Sequence, residues 1–170
     1  LLCFTVFLAE GAMLDWSAVF LTTEKQIGEA YAGLGYAAFA VTMTAGRLTG
    51  DSIVRHLGAR RVIVLGGLFA AAGLALATLA PGWELALAGY ALVGIGCSNI
   101  VPVLYTAVGK QTVMPENIAV PAITTLGYAG ILAGPAAIGF VAHASSLSIA
   151  FLLIAAMLVA VAISGRILKV

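Results

Sequence analysis

Few side chains in this sequence are equipped for chemistry, and they are unevenly placed. The stretch AGRLTGDSIVRHLGARRV, Ala45 to Val62, gathers one Asp and four Arg among glycines. Arg47, Asp51 and Arg55 stand four apart there, a spacing that puts them on one face of a helix. A carboxylate so placed can pair with either arginine or face the positive N-terminus of another helix. Contacts of this kind form in one arrangement of helices and break in another, so the stretch is a candidate conformational latch. Two more acids lie near the start, Glu10 beside Gly11 and Asp15 beside Trp16. They stand about 140° apart around a straight helix and so cannot serve one tight site. Glu10 is the deeper of the two. It has the chemistry to carry a proton or to hold a cation or a hydroxyl; the competing role is a bond to a neighbouring helix that only supports packing. Asp15 reads as a wetted residue at a mouth.

The elements that must position these groups follow from composition. Hydrophobic residues make up 62% of the chain and charged ones only 9%, with a mean hydropathy of +1.13. Soluble domains carry roughly 25% charged residues, and a soluble fold this apolar would expose aggregating patches. Lipid is the solvent that suits it. A net charge of +1 gives no electrostatic footprint for nucleic acid. Cys3 and Cys97 sit in apolar runs and read as small buried hydrophobes, not as a disulfide or metal framework.

Apolar runs of bilayer length occur at about 1–21, 31–54, 62–80, 85–107, 118–142 and 147–165. Backbone groups in hydrocarbon must be bonded internally, and the alternating segments of a barrel are absent, so the expectation is a single all-α bundle of six transmembrane helices over residues 1–170. Arg55, Arg60 and Arg61 in the second connection, Lys110 in the fourth, and Arg166 and Lys169 in the tail share one side; the other side has only Lys25. The positive-inside bias predicts that both ends of the chain face the cytoplasm, in a cytoplasmic (inner) membrane.

In a membrane bundle, helices interrupted by Gly or Pro near the midplane are the places where backbone and side-chain groups are free to line a cavity. In the fourth run, GIGCSNIVPVLY, Pro102 frees the carbonyl of Ser98, and Asn99 is the best neutral polar candidate for a cavity; an interhelical hydrogen bond is its equal alternative. Tyr36 and Tyr128 are candidates for the same cavity, with Tyr90 and Tyr105, although any one of them can equally serve packing. In the fifth run, Gly130, Gly134 and Pro135 predict close packing and a bending point, and Pro121 falls in the first turn of the expected helix.

The pattern Gly46-x-x-x-Gly50-Asp51, followed by Arg55, Gly58, Arg60 and Arg61 between a second and third span, resembles the signature loop of the major facilitator superfamily. Gly58 follows Asp51 by seven residues, so the helix is about one turn longer than in the tightest form of that pattern. The opening run LAEGAMLDWSAVFL is similar to the seventh span of a bacterial subgroup of these transporters. The resemblance implies a twelve-span protein of which this chain is the C-terminal six-helix half. The start at Leu instead of Met and the short basic tail agree with that expectation. Its implied partners are the lipid bilayer, the missing N-terminal half of the same polypeptide and a small-molecule substrate. No cofactor beyond a coupling proton is implied. Asp51 would then face a helix N-terminus in the other half and help hold the carrier open to the outside.

Two other classes compete. Ser98 and His143 invite comparison with intramembrane serine proteases of the rhomboid type, but Gly96-Cys97-Ser98-Asn99 lacks that family's closing glycine, and His143 lies at a different depth. A channel or structural membrane module would show rings of charge or filter carbonyls, and neither motif is evident.

Overall fold

The chain is all-α in a computed structural model that describes residues 1–166. Its helices are α1 (Leu2–Thr23), α2 (Leu34–Leu48), α3 (Gly50–Leu57), α4 (Ala59–Leu79), α5 (Trp83–Cys97), α6 (Ile100–Lys110), α7 (Glu116–Ala144) and α8 (Leu147–Ser164), with a 3₁₀ turn at Glu29–Tyr31. Lys169 lies outside the described residues. Helices α2 and α3 follow one another across a break at Thr49, and α5 and α6 across Ser98 and Asn99, so the described residues form six rods. Five stretches are long and apolar enough to cross a bilayer: α1, α4, α5 with α6, α7 and α8. The sixth rod, α2 with α3, is the one that carries Arg47, Asp51 and Arg55.

Helix α4 packs between α5 and α8, α2 leans on α5, and α1 pairs with α7. Lipid tails are as apolar as leucine, so the pairing of these rods draws on close van der Waals contact and interhelical hydrogen bonds. Small residues provide the close contact. A Cβ added to Gly66 would stand 2.5 Å from the carbonyl of Gly96, and one added to Gly73 would stand 2.5 Å from the carbonyl of Gly89. Both glycine pairs are seven apart on their own helix, so α4 and α5 run antiparallel with backbones touching at two levels. Tyr90 is fully buried beside this seam, edge-on to Phe151, whose ring stacks on Phe20 at 4.9 Å.

The connections are tied by a few specific devices. Lys25 donates from Nζ to the carbonyls of Thr78 (3.1 Å) and Ala80 (2.6 Å), and its ammonium lies 5.5 Å from the Phe20 ring centre. It thereby satisfies the last carbonyls of α4, where a cation also meets the negative helix end. Between α3 and α4 stands only Gly58, with φ +81 and ψ 149. Ser146 caps α8 by accepting from the backbone N–H of Ile149 at 3.2 Å.

Two expectations about proline change. Helix α7 begins at Glu116, which puts Pro121 in its second turn, where the ring removes a backbone donor. Both Pro121 and Pro135 lie inside a helix that runs unbroken for 29 residues. Pro102, expected inside a continuous fourth span, sits instead in the first turn of α6. A proline is tolerated there because its missing N–H has no partner to lose.

Candidate functional site

One face of the bundle is open, and its centre is an ion pair. Arg47 Nη2 stands 3.4 Å from Glu10 Oε1, the single salt bridge among the described residues. The carboxylate is largely enclosed, with 15% of its side chain exposed against 47% for the arginine. The expected row of Arg47, Asp51 and Arg55 is therefore interrupted. Arg47 belongs to α2 and turns to α1, whereas Asp51 and Arg55 lie beyond the break on α3.

The ladder is interrupted by a contact from the neighbouring rod. Thr49 Oγ1 donates back to the carbonyl of Ala45 at 2.9 Å, and its own N–H keeps the ladder bond to that carbonyl at 3.2 Å. The Gly46 carbonyl, which would normally receive Gly50 N–H, accepts Asn99 Nδ2 at 2.9 Å. Asn99 in turn stands in the break between α5 and α6, and its Nδ2 also donates to Ser98 Oγ at 3.0 Å. A Cβ on Gly46 would come within 2.5 Å of Ser98 Oγ, and one on Gly50 would overlap Asn99 Oδ1. Two interrupted helices thus meet at their interruptions. Asn99 is buried in this junction, away from the open cleft, and takes the interhelical role.

The open cleft has two chambers that share Glu10, Arg47 and Ile131. The first, about 280 Å³, runs between α1 and α2 from the pair to Tyr36, past Leu14, Phe39 and Met43. The second, about 520 Å³, is walled by Phe7, Val101, Pro102, Tyr105 and Tyr128. Phe7 and Tyr128 stack with ring centres 5.7 Å apart, and Tyr105 donates its hydroxyl to Thr124 at 2.9 Å. Glu10, Tyr36 and Tyr128 are thus brought together as lining residues. Asp15 is exposed and does not line either chamber.

At the end of the bundle beyond the breaks, Asp51 opens onto a smaller cleft of about 180 Å³ with Pro102, Thr106 and Lys110. Arg55, Arg60 and Arg61 are exposed, and none pairs with Asp51. Gly58 makes the turn between α3 and α4, while Gly130 packs on the backbone of Phe4 and Gly134 on the side chain of Leu8. Ser98 Oγ is buried and donates to the carbonyl of Ile95, whereas His143 is exposed in the last turn of α7. The two do not form a nucleophile and base. No group of three His, Cys, Asp or Glu side chains among the described residues is arranged to hold a metal ion.

The family model described as Major Facilitator Superfamily matches residues 1–169. The chain belongs to the major facilitator superfamily. It is 58% identical over 165 residues to a protein of Yersinia pestis named as an uncharacterized MFS-type transporter, covering 97% of this chain and 43% of that protein. It is 35% identical over 162 residues to the membrane protein MosC of Rhizobium meliloti, covering 95% of this chain and 40% of that one. A protein of Sinorhizobium fredii named as an uncharacterized transporter matches at 32% over 162 residues, with 95% and 43% covered. The chain therefore spans less than half the length of the curated relatives it matches. As a member of the superfamily it is a multi-pass membrane protein of a transporter family, and its few charged groups are to be read in that setting. The Glu10–Arg47 pair escaped the sequence reading, which placed the two residues in separate roles.

Proposed function

We propose that this chain is the C-terminal six-helix half of a secondary carrier that moves a small solute across the cytoplasmic membrane by alternating access. The observation that carries the reading is the Glu10–Arg47 pair, held at mid-span on an open face between two helices that meet only loosely. Ionisable groups at that depth are costly to keep and mark substrate or ion pathways. The open face would pack against the other half of the polypeptide and enclose the solute between them. Coupling to protons fits the same pair: a proton on Glu10 and an ionic contact with Arg47 exclude each other, so the carboxylate can report its occupancy to both helices. Both ends of the chain would face the cytoplasm, and Asp51, on the rim of the smaller cleft, would grip the sister half from that side when the outer side is open.

The test uses two reporter cysteines in the complete polypeptide that contains both proposed halves, Leu14→Cys in the outer cleft and Ala107→Cys in the cleft beside Asp51. A carrier held open to the outside by Asp51 responds to Asp51→Asn in opposite directions. Labelling by a membrane-impermeant maleimide rises several-fold at Ala107→Cys, assayed in inside-out vesicles, and falls at Leu14→Cys, assayed in right-side-out ones. Movement of both rates in the same direction indicates a pore, and no change at either removes the latch.

A further inference from the structure

We infer that the open cleft takes an apolar α-amino acid, with its ammonium on Glu10, its carboxylate on Arg47 and its side chain in the aromatic chamber. The inference rests on the carrier reading and names its substrate class. The geometry of the pair is the starting point. Arg47 and Glu10 touch through one nitrogen and one oxygen at 3.4 Å, at the long end of such contacts, and neither makes another side-chain hydrogen bond among the described residues. The second carboxylate oxygen and the remaining guanidinium donors are left for a ligand.

Charge balance then selects among ligands. A cation drawn to Glu10 strips Arg47 of its partner, and an anion drawn to Arg47 does the same to a largely enclosed carboxylate. Leaving the largely enclosed carboxylate alone is strongly unfavourable, and Arg47 would be enclosed in the same way once the sister half covers the face. A zwitterion replaces one ion pair by two and keeps the site neutral. The walls select again. Around the pair stand Phe7, Val101, Ile131 and Tyr128 on one side and Leu14, Phe39 and Met43 on the other. Besides the pair, the polar groups of the walls are the hydroxyls of Tyr36, Thr44, Tyr105 and Tyr128, and that of Tyr105 is already donated to Thr124. A polyol would bury many hydroxyls against few partners, whereas an aliphatic or aromatic side chain meets ring faces and methyl groups.

The experiment is equilibrium binding of radiolabelled L-phenylalanine and L-leucine to the complete polypeptide in nanodiscs, with single-charge analogues as competitors. Saturable binding is expected, and 2-phenylethylamine and 3-phenylpropanoate should each compete about tenfold or more weakly than L-phenylalanine, as loss of one charged hydrogen-bonded contact requires. Glu10→Gln and Arg47→Gln should each weaken binding by a similar factor. The analogue series needs no variant, so it decides the matter even if a substituted protein fails to fold. Absence of binding by both amino acids, equal competition by the amine or the acid alone, or tighter binding of mannitol would each overturn the inference. If labelling at Leu14→Cys and Ala107→Cys remains reciprocal while L-phenylalanine and L-leucine do not bind, the carrier reading stands and the substrate class is wrong. If both labelling rates move in the same direction, the carrier reading fails irrespective of the binding result.

Discussion

Replacing Gly46 by Ala places a methyl group where the two interrupted helices meet. Its carbon would lie 2.5 Å from Ser98 Oγ and 2.7 Å from Ser98 Cβ. Carbon atoms rest about 3.5–4.0 Å apart, and Ser98 Cβ is fixed by its backbone, so the helices must separate by roughly 1 Å. The Asn99 Nδ2 bond to the Gly46 carbonyl, now 2.9 Å, would then exceed hydrogen-bond reach. Overpacking costs about 1–3 kcal/mol, and loss of the hydrogen bond costs about 0.5–1.5 kcal/mol. Alanine offsets about 1 kcal/mol through its better helix propensity. The net expectation is a destabilisation of about 1–3 kcal/mol, read as a lower midpoint in SDS-driven unfolding of the full chain in detergent. The decisive arm is a double-mutant cycle with Ser98→Gly, which removes both colliding atoms. The pair should recover about 1–2 kcal/mol relative to the sum of the single changes. A neutral Gly46→Ala, or strict additivity with Ser98→Gly, would show that the junction is not packed as described.

Gly58, the lone residue between α3 and α4, has φ +81 and ψ 149. Gly58→Ala should cost about 1–3 kcal/mol in the same unfolding assay. Gly58→Asn should be no better, because the left-handed helical region that Asn tolerates lies at a different ψ. Lys25→Met removes both donors to the end of α4 while keeping the bulk of the side chain. A loss of about 1 kcal/mol is expected for these partly exposed contacts, and an unchanged unfolding midpoint would mean that water replaces the ammonium without penalty.

The all-α bundle was legible because apolar runs of bilayer length leave the backbone no other way to satisfy its bonds. The turn at Gly58 was legible as well, since glycine punctuates a charged stretch there. The breaks at Thr49 and Asn99 were not, because each depends on the other helix: Asn99 takes the carbonyl of Gly46 only once the rods are packed. The Glu10–Arg47 pair was not legible from the expected spans 1–21 and 31–54, because its matching depth depends on where the two helices actually end and begin. Glu10 lies 13 residues before the end of α1 at Thr23, and Arg47 lies 13 residues after the start of α2 at Leu34. Adjacent antiparallel helices joined at one end bring residues equidistant from the connection to the same depth, and opposite charges at one depth in hydrocarbon should find each other. The seven-residue spacing of Gly66 with Gly73 and of Gly89 with Gly96 was visible, and it marks the antiparallel seam of α4 and α5.

The shared junction of Thr49 and Asn99 also bears on the grip proposed for Asp51. Above it, α2 and α5 are stitched by the bond from Thr42 Oγ1 to the Ala91 carbonyl at 2.8 Å. Below it, α3 and α6 form opposite walls of the cleft that holds Asp51 and Lys110. Under that proposal a tug on Asp51 would act through a short arm hinged at a common knuckle, which also bears the foot of α6. Because Arg47 sits less than one turn above that knuckle on α2, such a pull would be delivered next to the ionic contact with Glu10, with no long rod needing to tilt as a whole.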